Sequence, residues 1–276
     1  MMSKATFGLA IVAALGIGVI GCGDDDQSGT GGTGGTGATG GSGGAGGAGG
    51  GEMAMVRVAH LAPEVPSADN TGVDILVDGA ASGIENLQFG NSTGYVSLPA
   101  GDYVFGVAAA GTTTSLLDVP ATLPAGGIFT VVAYRDSAAA VPVNVLLFDE
   151  DPTGLASGSG RVLVGHGADA EAVDPVDIVT DASAVVVDEL AFGATAGPLD
   201  LAEGTVNIGF DVDTAAAGGG TDANDDLDVG PLAAPVTADV VTLLVAVDTD
   251  TSAELVPAIY ALLPTTEGAI TTLSAP

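Results

Sequence analysis

The sequence has no tryptophan, one cysteine, two histidines and four lysines and arginines in 276 residues. Each scarcity closes off a class of function. The single thiol, Cys22, leaves no disulfide to staple a domain and no second sulfur for a redox pair or a thiolate metal site. With 4 Tyr, 7 Phe and no Trp, the chain is poor in the aromatic platforms on which glycosidases hold sugars. The few cations face 35 Asp and Glu, for a net charge of -31. A surface this anionic repels nucleic acid and anionic lipid headgroups, so neither is expected as a direct partner. It suits cations, basic proteins or salty surroundings. What the chain does have is aliphatic bulk: 47% of its residues are hydrophobic, so Val, Ala, Leu and Ile must build the core.

The chain opens with Met1-Met2-Ser3-Lys4, an apolar run from Ala5 to Val19, and then Val19-Ile20-Gly21-Cys22. The run is too short and too glycine-rich for a comfortable membrane-spanning helix. A branched residue, an apolar residue, a small residue and cysteine resemble the lipobox of bacterial lipoproteins. That resemblance implies removal of residues 1–21 and lipidation of Cys22, anchoring the protein to a membrane. Gly23, not Asp, follows the cysteine, which favours the outer membrane or cell surface. Arg57, Arg135 and Arg161 are then the only Arg or Lys left in the mature chain.

Residues 22–52 read as a tether. Asp24-Asp25-Asp26 is followed by Gly/Thr/Ser/Ala repeats with no side chains to bury and the most backbone entropy to lose. As a flexible coil of about 30 residues it spans on the order of 30 Å. No strand precedes these glycines and no helix follows them, so they are not a phosphate-binding loop.

From Met53 onward, short β-branched runs alternate with turn residues. Val56-Arg57-Val58-Ala59-His60, Val73-Asp74-Ile75-Leu76-Val77, Tyr95-Val96-Ser97-Leu98, Tyr103 to Val107, Ile128 to Tyr134 and Val143 to Phe148 are expected strands, with Pro99-Ala100-Gly101-Asp102 as a tight turn between two of them. No segment sustains helical periodicity. The pattern then repeats. Val162-Leu163-Val164-Gly165-His166 answers Val56 to His60, Val176-Asp177-Ile178 answers Val73-Asp74-Ile75, and Leu190-Ala191-Phe192-Gly193 answers Leu87-Gln88-Phe89-Gly90. Later, Val241-Thr242-Leu243-Leu244 answers Phe129-Thr130-Val131-Val132, and the extra residues of the second copy fall in Asp211 to Asp228. The expected fold is all-β: two tandem antiparallel β-sandwich domains, Ig-like or transthyretin-like, over residues 53–153 and 160–276.

His60-Leu61-Ala62-Pro63-Glu64, Val73-Asp74-Ile75, Leu87-Gln88-Phe89-Gly90 and Leu98-Pro99-Ala100-Gly101-Asp102-Tyr103 resemble the bacterial domain-of-unknown-function family numbered 4397. The resemblance covers the first copy. The second departs from it, with Asp169 at the place of Pro63, Pro198 at that of Tyr95 and Val206 at that of Tyr103. It implies a secreted or surface-tethered β domain and carries over no catalytic residues.

Chemistry is sparse. His60 and His166 end equivalent strands, where an imidazole bonded to nearby Asp74 or Asp177 would fix the bend into the following loop. As catalytic or metal groups they lack a second His or any Cys in reach. No Gly-x-Ser-x-Gly elbow occurs. Asp222, Asn224, Asp226 and Asp228 alternate as oxygen ligands do in calcium loops, but Asp225 stands where such loops use glycine and Ala233 where they close with Glu. A calcium site there is a candidate; no other cofactor is expected. These features point to a non-catalytic envelope lipoprotein displaying its β modules to an envelope protein or glycan. The alternatives are an envelope-polymer hydrolase or a calcium- or ligand-sensing lipoprotein.

Charge generates the first prediction. Uncompensated carboxylates repel one another in the compact state, and salt screens them over about 10 Å at 0.1 M. The melting temperature followed by circular dichroism is expected to rise as NaCl goes from low to molar concentration. A flat or falling trend contradicts this.

Overall fold

The β-branched runs become strands throughout a computed structural model, and there is no helix among the described residues. Those residues are 52–169, 175–180, 184–212, 229–249 and 257–273. Cys22, the tether and the calcium candidates Asp222, Asn224, Asp226 and Asp228 lie outside them. Asp211 does not begin a loop: it is a buried residue of a strand, β14.

In the first half, β1 (Met53–Leu61) is central. It pairs in parallel with β8 (Ile128–Tyr134) and antiparallel with β4 (Asn91–Ser92) and β5 (Val96–Pro99). β9 (Asn144–Asp149) adds to β8 and completes a first inner sheet. The first outer sheet runs β3-β2-β6-β7, from Ala80–Ala81, Val73–Val77, Gly101–Ala109 and Ser115–Leu123. Pro99 to Asp102 is therefore not a hairpin turn. β5 belongs to the inner sheet and β6 to the outer one, so Ala100 is the corner where the chain changes layers, its N–H held by Glu52 O at 2.8 Å.

The second half repeats these pairings. β10 (Ser159–Gly167) runs parallel to β16 (Val241–Asp248) and antiparallel to β13 (Thr195–Ala202), and β17 (Pro257–Leu262) adds to β16 as a second inner sheet. The second outer sheet runs β12-β11-β14-β15, from Ala184–Leu190, Val176–Thr180, Gly204–Val212 and Val229–Val236. Thr195 faces Gly165 as Ser92 faces Ala59, and Ala202 faces Ser159 as Pro99 faces Met53. The ladders also correct the sequence match. Val241 stands opposite Arg161 as Ile128 stands opposite Met55, so Val241 answers Ile128 and not Phe129. One residue matters because it exchanges the two faces of a strand. With this register Thr242 looks into its own half beside Val162, and Leu243 looks out of it beside Leu163.

Alternation sends the two faces of each inner sheet to different layers. Ala54, Val56 and Val58 of β1 pack with Phe105, Val107 and Leu123 of the outer sheet or with Val73 and Ile75. Ala59 and Leu61, on the other face, join Val132, Tyr134, Leu146 and Phe148 in a cluster with Leu163, Leu243, Val245, Val247 and Leu262 of the second half. The two inner sheets thus share one apolar layer, and the described residues form one compact unit. Being covered on both faces, β16 is buried at all eight positions.

Close approach of the sheets needs glycine. A Cβ on Gly165 would lie 2.6 Å from Phe148 Cζ and 2.8 Å from Leu146 Cδ1, and one on Gly167 would lie 2.9 Å from Tyr134 Cβ. The C-terminal segment then crosses between the halves: β18 (Gly268–Ala269) pairs with β4 and β19 (Thr271–Thr272) with β17.

Gly165→Val is therefore expected to destabilise the protein by about 1–3 kcal/mol through overpacking, measured by urea denaturation. Unchanged stability would mean that the halves do not meet at β10.

Candidate functional site

Strand geometry decides what the two histidines do. His60 is 1% exposed at the end of β1. Its Nε2–H donates to Thr71 O at 2.7 Å, with Val65 O at 3.2 Å, and Nδ1 accepts from Ala62 N at 3.4 Å. Both nitrogens bond to backbone, so the ring clamps the loop that follows β1. The expected partner, Asp74, is engaged elsewhere: its carboxylate accepts from Asn86 N at 2.7 Å and Gly111 N at 2.8 Å. Asp177 likewise accepts from Glu189 N at 2.8 Å. Asp74 thus secures two loops of the first outer sheet and Asp177 the neighbouring strand of the second, because a buried or half-buried carboxylate takes the nearest free backbone N–H. Burial lowers the His60 pKa, an effect larger than the opposing bonds to Thr71 and Val65. His166 is equally buried.

Each histidine meets an aromatic chain that reaches into the other half. Phe89 stands edge-on to His60 at 6.4 Å and to Tyr260 at 6.3 Å, and Phe192 stands edge-on to His166 at 6.0 Å and to Tyr134 at 5.4 Å. Such pairs contribute about 0.5–1.5 kcal/mol beyond burial. The equivalence of His60 and His166 was visible in the repeat; their partners were not.

The cluster that the sequence did not reveal centres on Arg57, which is fully buried. Its Nε donates to Thr130 Oγ1 at 2.9 Å, its Nη2 reaches both carboxylate oxygens of Glu150 at 3.3 and 3.4 Å, and Nη1 donates to Leu263 O. Thr130 Oγ1 donates in turn to Glu150, Tyr95 OH donates to Glu150 Oε2 at 2.8 Å, and the guanidinium lies 4.8 Å from the Tyr95 ring centroid. Burial, then the Glu150 charge, pushes the Tyr95 hydroxyl well above its ordinary range. Removing one member of a buried pair costs about 3–5 kcal/mol, because the other charge stays buried alone. The available signal was position: Arg57 shares a strand face with Ala59 and Leu61, both of which are buried in the layer between the inner sheets.

All three arginines of the described residues lie along the seam. Arg135 Nη1 meets Asp169 Oδ2 at 3.1 Å, tying the loop after β8 to the loop after β10. Arg161 reaches Asp200 at 2.8 Å through Nε, and its Nη1 donates to Asp151 O at 2.6 Å in the segment joining the halves. No group of three or more His, Cys, Asp or Glu placed to hold a metal occurs among the described residues.

Two grooves open at the rim of the inner sheets. One, of about 430 Å³, lies between β9 and β13 with Leu147, Asp149, Asp151 and Pro198 in its lining. The other, of about 690 Å³, has Asn86, Gln88, Asn91, Tyr95 and Glu267 beside Ile84, Leu87 and Val96 in its lining. Neither contains His60 or His166.

Fold and site together define a β-sandwich-like scaffold whose titratable groups secure loops and the seam. Residues 54–175 match the family described as "Domain of unknown function (DUF4397)". The match supports the resemblance carried by His60 to Tyr103 and runs past β9 through β10. No curated protein matches the chain.

His60 supplies a pH test. Its folded pKa lies below the ordinary 6.5, so above that value the ring is neutral in both states and its clamp contributes in full. As pH falls through about 6.5 the unfolded chain binds a proton that the folded state refuses, and the contribution is lost. The stability advantage of wild type over His60→Asn is expected to shrink from about pH 7 to about pH 5, by at most about 1.4 kcal/mol per pH unit. A pH-independent difference in urea denaturation contradicts the clamp.

Proposed function

We propose that the protein is an exported lipoprotein of the bacterial cell envelope, held through Cys22 at the outer membrane or cell surface. In this reading its two halves are tandem copies of the family domain, Ig-like or transthyretin-like, the second more divergent. They bind and do not catalyse. The observation that carries the reading is His60, whose two ring nitrogens are committed to backbone groups of its own loop. A general base must present a free nitrogen to a substrate proton. The lipobox and the glycine-rich tether support the location, and a scaffold with one shared core supports display, since loops held on rigid sheets make reproducible binding surfaces. Its target is an envelope protein or glycan.

The test uses the full chain purified in detergent, mixed with isolated peptidoglycan and surface glycans, with and without calcium. Saturable binding that survives His60→Asn and His166→Gln is the expected result, together with transfer of Cys22→Ala from the membrane to the soluble fraction. Turnover of an envelope polymer that His166→Gln abolishes without changing the melting temperature would replace this reading with a hydrolase.

A further inference from the structure

The first inner sheet ends at β9, and no strand among the described residues pairs with its outer edge. Glu150 N donates to Ile128 O at 2.8 Å, and the ladder sets Phe148 opposite Thr130 and Leu146 opposite Val132. Peptide groups in an antiparallel pair point alternately toward and away from the partner. Leu147 and Asp149 therefore turn their N–H and C=O groups away from β8. β9 has no proline and no bulge, and Leu147 is 36% exposed. The other long edges are blunted, as edges open to foreign strands usually are. Pro99 interrupts β5, Pro120 β7, Pro198 β13, and Pro231 and Pro235 β15. β12 slips register against β11.

The second half shows what such an edge accepts. β17 holds the place in its inner sheet that β9 holds in the first, antiparallel to the strand that runs parallel with the central one. β17 is covered: Tyr260 pairs with Thr272 and Ala261 with Thr271 of β19, and Leu273 N donates to Ile259 O at 2.8 Å. Among the described residues β9 has no counterpart of β19.

Beside the open edge lies the groove of about 430 Å³, with Leu147 and Asp149 on one wall, Ala196 and Pro198 on the other, and Asp151 among its lining. Arg161 also lines it but is bound to Asp200. Burial and then Asp151 hold the Asp149 carboxyl above the ordinary carboxylate range, a state that a bound cation would relieve. The sequence of the tether, glycine-rich and opening with three Asp, suits neither strand formation nor this charge.

We propose that β9 is a docking edge for an extended, lysine- or arginine-bearing segment of an envelope partner, which adds to the first inner sheet as a further strand and sets its basic side chains against Asp149 and Asp151. Main-chain bonds to Leu147 and Asp149 supply the affinity, and the acids select the charge. This names the partner class for the display reading and rests on it.

The test titrates the full chain in detergent with a fluorescein-labelled peptide of alternating lysine and valine, about eight residues long, and follows anisotropy. Saturable binding below about 1 mM is expected, at least about tenfold weaker for Leu147→Pro and for the peptide with glutamate in place of lysine. Asp149→Asn with Asp151→Asn should weaken binding and flatten its salt dependence. Because Leu147 donates nothing to β8, Leu147→Pro should keep the wild-type spectrum. Slowed exchange of the Leu147 and Asp149 amides on peptide addition tests the same edge without a substitution. Lack of saturation, indifference to Leu147→Pro, or unchanged exchange at both amides overturns the proposal. Concentration-dependent dimerisation that Leu147→Pro abolishes also overturns it, in favour of a second copy. Polymer turnover would sink the display reading while leaving peptide binding intact, so the two failures are distinguishable.

Discussion

The apolar layer between the two inner sheets is the constraint from which the rest of the structure follows. A sheet with one covered face can alternate apolar and polar residues; a sheet covered on both faces cannot. β16 meets that demand with Val-Thr-Leu-Leu-Val-Ala-Val and no exposed position. β10 meets it with Gly165 and Gly167, whose missing side chains make room for Phe148, Leu146 and Tyr134. β1 meets it in two ways: Ala59 and Leu61 join the layer, while Arg57 enters it with Thr130 and Glu150 to neutralise the charge and with Leu263 O to anchor the crossing segment.

That layer also explains the charge. The described residues contain three arginines and no lysine, and each arginine sits along the seam. Cations are so few that using them there leaves the remaining surface almost wholly acidic. Charge of one sign on this scale repels like-charged polymers and favours oppositely charged ones. On such a body the regular strand edge of β9, flanked by Asp149 and Asp151, is distinctive among the described edges, since the equivalent edge of the second half is filled by β19.

Much of this was legible in the sequence, and the residues show where legibility stopped. Short β-branched runs and turn residues sufficed for the all-β class, and the His60/His166 and Phe89/Phe192 repeats for the equivalence of the halves. Face assignment failed, because alternation says that a strand has two faces and not what covers each. The burial of Arg57 is therefore not legible in the sequence, and the match of Val241 to Phe129 is off by one where the ladder sets it on Ile128. β7 is hidden in the sequence because Pro120 and Asp118 interrupt its apolar pattern, which is how an edge strand looks. The Pro99 to Asp102 corner has turn chemistry, but turn residues do not say whether the next strand stays in the same sheet. For His60 the expected partner was Asp74, on the next strand, yet carbonyls of the loop that the ring closes are nearer in space.

Because the two halves share the apolar layer, they are expected to open as one. Native-state hydrogen exchange on the full chain tests it most directly, since amides that open only by global unfolding report one common free energy. The protected amides of β1 and β8 are expected to exchange with the same free energy, and the same urea dependence, as those of β10 and β16. A separate, lower free energy for either pair would mean that the halves unfold independently and that the shared layer does not hold the structure together.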